Sequence, residues 1–539
     1  MRDKPLIWAR GPRRGATALL ASVAALALVQ PVVLPTTVAA DTSHGELAPY
    51  YGQKISWKNC AAQQSKELRE AGFTPPAYAK RLQCGSVKAP RIYASPGRGD
   101  VEIHMVRLPK TGDGERPGSL VLNFGGPGES GMEGLREMGA KFATLNQRYD
   151  LVAHDPRGVG ASAPVECAQP DEADLEGFEE TDRTPDNPTE AEVLAAVNGT
   201  LNEACRRSAG RLLPWVGTVA STRDLDVLRA ALGDKKLNYL GFSYGTFLGA
   251  NYLHKFPGNA GRVVLDGVEN PTQTPREELE SQAKAFDHAM DDFLADCAQR
   301  GARQCPLGTD PKEAKEGLEA LFTALDGKTL PTDAGGLDQD VFVNAMKNAM
   351  YSKGDGWPAL RRAFGALLDD DDGAPLAALG GATPGNGLRT ADGGAGEQAA
   401  DNSDDAFRAI NCRDTSKRYG PKDYTAALAD FTKASPLFGK LVANELLQCT
   451  DWPVAGDNDP HRVDAEGAPK ALLVATVNDP ATPYPGGVAL AKALGNDSVE
   501  LTYTGDGHGA YVTNSRCVHS KVEDFLFDGK LPKAGTKCN

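Results

Sequence analysis

Among the ten cysteines of this 539-residue chain there is no Cys-x-x-Cys pair, and no His/Cys cluster stands at ligand spacing. Metal ligation therefore has no support in the sequence, and no metal is expected. No G-K-[ST] follows the glycine-rich stretch at 125–131 and no cofactor fingerprint surrounds it, so no cofactor is expected either. Positive charge is in deficit. The formal net charge is −14, which argues against nucleic acid or an anionic membrane surface as partner. The apolar run near the N-terminus is broken by Gln30 and Pro31 before it reaches the roughly 20 residues of a membrane span.

That run belongs to the first feature present. "MRDKPLIWARGPRRG" carries five Arg or Lys against one Asp, an apolar stretch follows, and Val38 and Ala40 offer a cleavage site. The order is that of a secretory signal peptide over 1–40, so the remainder is expected to be exported, with no membrane anchor after cleavage. No cysteine sits at the cut, which argues against a lipid anchor. Cys60, Cys84, Cys167, Cys205, Cys297, Cys305, Cys412, Cys449, Cys517 and Cys538 make an even number, and export places them in an oxidising compartment. Five disulfides are expected. Sequence does not fix their connectivity; sequential pairing closes the shortest loops, and Cys297–Cys305 the shortest of all.

Short apolar, β-branched runs that stop at glycines or turn residues mark strands at 119–126, 149–158, 237–243, 261–267, 471–479 and 498–508. Helical patterns lie between several of them, including 221–232 and 246–256. Alternation of strand and helix, with nearly continuous apolar strands, predicts a mostly parallel sheet covered on both faces. "VEIHMVRLP" (101–109) alternates and predicts an antiparallel edge strand.

"LGFSYGTFLG" (240–249) then acquires meaning. Ser243 sits in G-x-S-x-G, directly after a strand and directly before a helix, where Gly241 and Gly245 permit a sharp turn. Ser243 is the expected nucleophile. In this architecture the acid and then the base follow in the chain. His508, in "GDGHGAY" at the end of the last strand, is the expected base; His519 reads as a residue of a terminal amphipathic helix. Asp479, at the end of the preceding strand, is the expected acid, with Asp506 as its rival. Backbone N–H donors for an oxyanion are expected from Tyr244 and from the loop "GGPGESG", with Gly125 the first candidate and Gly126 the second.

"NFGGPGESG", "HDPRGVGASAP", "LNYLGFSYGTFLGANY", "RVVLDGV", and "NDPATPY" with "GHG" closely resemble the secreted tripeptidyl aminopeptidases of actinomycetes. These are serine peptidases of α/β-hydrolase fold related to the prolyl aminopeptidases. The resemblance covers most of the chain after residue 40 and implies Ser243 as nucleophile, Asp479 as acid and His508 as base. It also implies peptide or protein substrates with free N-termini, from which short peptides, typically tripeptides, are released through an acyl-enzyme. An exported esterase or lipase on the same triad is the alternative. Phe124 and Glu129 depart from the family's "NPGGPGGSG", which makes Glu129 a candidate to alter substrate preference. Asp155 and Arg157 read as a structural ion pair and Ser162 as a turn hydroxyl, while Thr482 has two readings, a bond to the acid or a plain turn.

About 200 residues separate "VVLDGV" from "ALLVAT", too many for a connection within a compact sheet. Helical patterns at 276–300, 341–368 and 423–447 predict a helical cap over 270–465, inserted between hydrolase-core segments 41–269 and 466–539. The Gly/Ala/Asp-rich stretch at 369–405 predicts a mobile loop. A peptidase acting at a free amino terminus must neutralise an ammonium in a partly dry pocket, so a cap carboxylate is expected there, with Asp414 the candidate.

Overall fold

The computed structural model describes residues 43–70, 74–114, 116–168, 181–382, 402–457 and 459–539. The signal-peptide reading of 1–40 lies outside them. A ten-stranded sheet runs in the order β1-β2-β3-β5-β4-β6-β7-β10-β11-β12. Its strands are β1 (Lys58–Asn59), β2 (Gln83–Pro90), β3 (Asp100–Leu108), β4 (Ser119–Asn123), β5 (Asp150–His154), β6 (Leu237–Phe242), β7 (Ala260–Asp266), β10 (Leu472–Asn478), β11 (Val499–Asp506) and β12 (Lys537–Cys538). β5, β4, β6, β7, β10, β11 and β12 are mutually parallel, while β1, β2 and β3 add antiparallel pairs at one side.

Each central strand is apolar on both faces. Val121, Val152, Tyr239 and Leu473 face one apolar layer, and Leu122, Leu151, Leu240 and Leu472 the other. This period of two within an unbroken apolar run is what a sheet covered on both sides requires. The expected α/β-hydrolase fold is the one present. β3 is antiparallel as expected but is no edge strand, because β2 pairs along its whole length from Gln83↔Arg107 to Pro90↔Asp100.

Helices α1 (Gly131–Met138), α2 (Pro188–Ala209), α3 (Thr218–Ala231) and α4 (Tyr244–Lys255) lie within the first part of the chain. From residue 275 the chain turns helical: α5 (Pro275–Gln299), α6 (Pro311–Ala324), α7 (Gln339–Met350), α8 (Gly356–Asp370), α9 (Ser403–Asp414) and α10 (Pro421–Ala434), with a two-stranded ribbon of β8 (Leu330–Thr332) and β9 (Gly335–Leu337). α5 begins at a capping box in which Thr274 and Glu277 satisfy one another's backbone N–H, with Pro275 at the first helical position. Phe286, Phe293, Phe342, Trp357, Phe364 and Phe431 fill an apolar cluster of this helical layer, separate from the sheet's layers. Ala191, Leu194 and Ala195 of α2 pack into that same cluster, so α2 joins the helical layer although it precedes Ser243 in sequence. The stretch read as a mobile loop is helical over Ala374–Leu379, where Leu376 and Ala377 are buried; residues 383–401 of it lie outside the described residues. Gly45–Asn539 form one compact unit.

The disulfides are Cys60–Cys84, Cys167–Cys205, Cys297–Cys305, Cys412–Cys449 and Cys517–Cys538, so all ten cysteines pair in sequence order. No helix among the described residues is long and apolar enough to cross a membrane.

Candidate active site

β6 ends at Phe242 and α4 starts at Tyr244, leaving Ser243 alone at the turn with φ 53° and ψ −127°. A left-handed serine of this kind is strained by about 1–3 kcal/mol, and the surrounding packing must hold it. Both motif glycines are sterically required. A Cβ on Gly241 would lie 2.4 Å from the Gly245 carbonyl, and one on Gly245 2.5 Å from Asn123 Oδ1. The Ser243 N–H donates to the Asp266 carbonyl at 3.1 Å, and Thr246 N–H returns to the Ser243 carbonyl at 2.7 Å.

Asp479 follows β10 and is buried. Its Oδ1 accepts the N–H groups of Ala481 and Thr482 at 3.0 and 2.9 Å, and its Oδ2 accepts Thr482 Oγ1–H at 3.0 Å. Thr482 thus takes the first of its two readings, bonding the acid. His508 follows β11, and its Nδ1–H donates to Asp479 at 2.9 and 3.0 Å. Its Nε2 is buried with no hydrogen-bond partner among the described residues. Burial disfavours the imidazolium, but Asp479, with a smaller contribution from Asp266, outweighs it and holds the His508 pKa above the ordinary value. An imidazole oriented in this way can take a proton at Nε2. The rival Asp506 is engaged elsewhere, accepting Lys353 Nζ at 2.6 Å and Asn478 Nδ2 at 2.8 Å. His519, in the terminal helix Arg516–Asp528, bonds the Tyr511 carbonyl through Nε2.

Gly125 and Gly126 have φ of 107° and 99°, and a Cβ on Gly125 would lie 2.8 Å from Ser243 Cβ. The glycine loop therefore lies against the serine, where no side chain fits. The Gly125 N–H, however, donates to Asn123 Oδ1 at 3.1 Å. The Gly126 N–H has no such partner among the described residues, and Tyr244 stands at the first position of α4. Phe124, a departure from the family's loop, stacks on Phe242 and fills the space over Gly134.

A pocket of about 190 Å³ opens beside this turn, lined by Gly126, Pro127, Tyr244 and Phe247 from the sheet side and by Phe407 and Leu279 from the helices. Glu269, Glu278, Asp414 and Glu445 also line it, and among the described residues no Lys or Arg does, although Lys347 Nζ donates to Glu445 at 3.2 Å. Burial, with Glu278 and Asp414 nearby, pushes Glu269 well above the usual carboxylate range. Burial and then Glu445 push Glu278 up to about 7. Asp414 is raised by burial to about 7 even though Thr218 N–H and Oγ1–H both bond it, at 2.8 and 2.6 Å. Asp414 is thus placed in the pocket with both oxygens already engaged. Glu269 and Glu278 make no side-chain hydrogen bond among the described residues, and sequence reading passed over them. Glu129 is exposed and does not line the pocket.

Two structural readings change partners. Arg157 does not pair with Asp155; it forms a bidentate bond with buried Asp224 of α3, both contacts at 2.6 Å, and also reaches the carbonyls of Pro90, Arg91 and Trp215. Asp155 instead accepts Ser130 Oγ–H and the N–H groups of Met132 and Ala161. Ser162 Oγ accepts the His104 N–H and so braces the loop against β3. Among the described residues one trio has metal-like proximity, Cys167, Cys205 and Asp405, but its cysteines are joined as a disulfide.

Residues 435–538 match the family model described as TAP-like protein. The chain is 33% identical over 513 residues to serine protease Hip1 of Mycobacterium tuberculosis, covering 91% of this chain and 92% of that protein. It is 32% identical to Carboxylesterase B of the same species, with 91% of each chain covered. A tripeptidyl aminopeptidase of Streptomyces lividans is 29% identical over 90% of this chain and 86% of its own length. With a Ser-Asp-His order on an α/β-hydrolase sheet and this similarity along nearly the whole chain, the protein is a serine hydrolase that belongs to the tripeptidyl aminopeptidase-like family of serine peptidases.

Proposed function

We propose that the protein is a secreted serine exopeptidase that releases short peptides, tripeptides foremost, from substrates with free amino termini. The observation that supports this reading is the pocket beside Ser243, into whose wall Glu269 and Glu278 are set with no side-chain partner among the described residues, while Glu445 is paired with Lys347 and Asp414 with Thr218. Carboxyl groups held in a partly dry wall are costly unless they meet a cation or hydrogen-bond donors, and a substrate ammonium supplies both. The helices of 270–465 act as the cap that closes this pocket, and Glu269 and Glu278 receive the amine, with Asp414 shaping the wall through Thr218.

In the reaction Ser243 Oγ attacks the scissile carbonyl while His508 Nε2 takes its proton. Asp479 keeps Nδ1 protonated and stabilises the imidazolium. The N–H groups of Gly126 and Tyr244 receive the developing oxyanion. His508 then gives its proton to the leaving amine, and water, activated by the same imidazole, releases the acyl group. The relative named Carboxylesterase B favours a second reading, an esterase on the same residues.

One comparison separates the two: a tripeptide anilide against its N-acetylated twin. A charge-assisted bond contributes about 1.5–3 kcal/mol, so the free amine should be preferred by roughly 10- to 150-fold in kcat/KM. Glu269→Gln and Glu278→Gln should each shrink that ratio. Equal rates on the two substrates would remove the aminopeptidase reading and leave the esterase.

A further inference from the structure

Asp266, the last residue of β7, is fully buried and has no part in the steps above. We propose that Asp266 is a positioning residue: it ties the Ser243 turn and the His508 loop to one strand end and sets a second negative charge behind the imidazole.

The bonding supports the first part, and the closeness of the strand end to the imidazole the second. The Asp266 carbonyl accepts the Ser243 N–H at 3.1 Å. Its carboxylate accepts the N–H of Ala510 at 2.9 Å through Oδ1 and that of Tyr511 at 2.7 Å through Oδ2. Those two amides lie two and three residues beyond His508, so one residue grips the nucleophile's turn with its backbone and the base's loop with its side chain. The next residue seals the junction. A Cβ on Gly267 would lie 2.9 Å from His508 Cε1 and 3.3 Å from Thr482 Oγ1, so the strand end is pressed against the imidazole.

The groups facing His508 are Asp479, Thr482, Asp266 and the ring of Tyr351, which meets the imidazole edge-on at 5.5 Å. Two of these carry charge, and both are carboxylates. Burial raises the Asp266 pKa to about 6, against the pull of the Tyr511 and Ala510 amides and of His508, with Asp479 adding to the rise. Asp266 is therefore anionic where the base works, and its charge favours the imidazolium formed during attack.

The test uses the full chain and a fluorophosphonate that reacts with any activated serine, so its outcome is independent of the aminopeptidase reading. Asp266→Asn keeps the shape but turns an amide NH₂ toward one of the two backbone donors. The second-order inactivation rate, per folded molecule, should fall about 10- to 100-fold, the loss expected from a small misplacement of reacting groups. The acid limb of its pH profile should move to lower pH, because removing an anion lowers the His508 pKa. A lowered melting temperature with the rate and the limb unchanged would make Asp266 merely structural and overturn the proposal. The wild-type protein gives a second measure, should the variant not fold. Below pH about 6, where Asp266 takes up a proton, the inactivation rate should fall more steeply than a single ionisation allows; a single-ionisation slope would overturn the proposal.

Discussion

At residue scale, the reading rests on which side chains touch the reacting atoms. Ser243→Ala, Asp479→Ala and His508→Ala should each lower kcat on the order of 10⁴-fold or more while the far-ultraviolet circular dichroism stays unchanged. His519→Ala should leave kcat intact, since its Nε2 is taken by the Tyr511 carbonyl; loss of activity there and not at His508 would reassign the base. The pH dependence has two parts with opposite readouts. His508 is raised above its ordinary value and must be neutral to act, so kcat should rise with pH through a limb displaced upward from that of a free imidazole. Glu278 must be ionised to meet an ammonium, so KM for free-amine peptides should rise as pH falls through about 7. KM for acetylated peptides should not follow. A common pH dependence of both KM values would separate Glu278 from amine binding.

At the scale of elements, the loop after β5 is held to α3 by one buried ion pair. Arg157 and Asp224 are 0% and 1% exposed, and Tyr93 Oη–H also donates to Asp224 at 2.7 Å. Arg157→Met would leave a buried carboxylate without its cation, a loss of about 3–5 kcal/mol in unfolding free energy. Arg157→Met/Asp224→Leu should lose less, because no charge is stranded. Chemical denaturation measures both, and equal losses in the two would contradict the pairing. The sequence suggested a structural role for Arg157 but offered Asp155, two residues away, as its partner; chain proximity was the only guide. The partner came from a helix 67 residues on, which no local pattern encodes.

At the scale of the whole molecule, five covalent links join segments of the core and of the helical layer. Intact mass measured without reductant should show all ten cysteines oxidised, and alkylation of the native protein should label none. Several labelled thiols would contradict the pairing. Reduction should lower the melting temperature, each bridge contributing typically 2–4 kcal/mol. Cys412–Cys449 bears most directly on the pocket, because both Asp414 in α9 and Glu445 line it and the bridge joins their segments.

The parallel sheet and the three residues at its strand ends were legible in sequence because each is a local event. An apolar run stops at a glycine or a turn, and the functional side chain stands at the stop, as Ser243, Asp479 and His508 do. Helix α2 was passed over, and its place in the helical layer is set by Ala191, Leu194 and Ala195 packing far along the chain. The membership of the acidic pocket was out of reach for the same reason. Glu269, Glu278, Asp414 and Glu445 share no motif, and only Asp414, beside Cys412, stands out in sequence; the other three read as ordinary surface acids. Only tertiary folding brings them to one wall, where desolvation raises the pKa values of Glu269, Glu278 and Asp414. The sequence by itself determined the order and the strand-end positions of Ser243, Asp479 and His508, the proposed reacting groups, because chain-local sterics and hydrophobic periodicity specify them. The tertiary structure decided what surrounds them, because burial and charge proximity are properties of space and not of chain order.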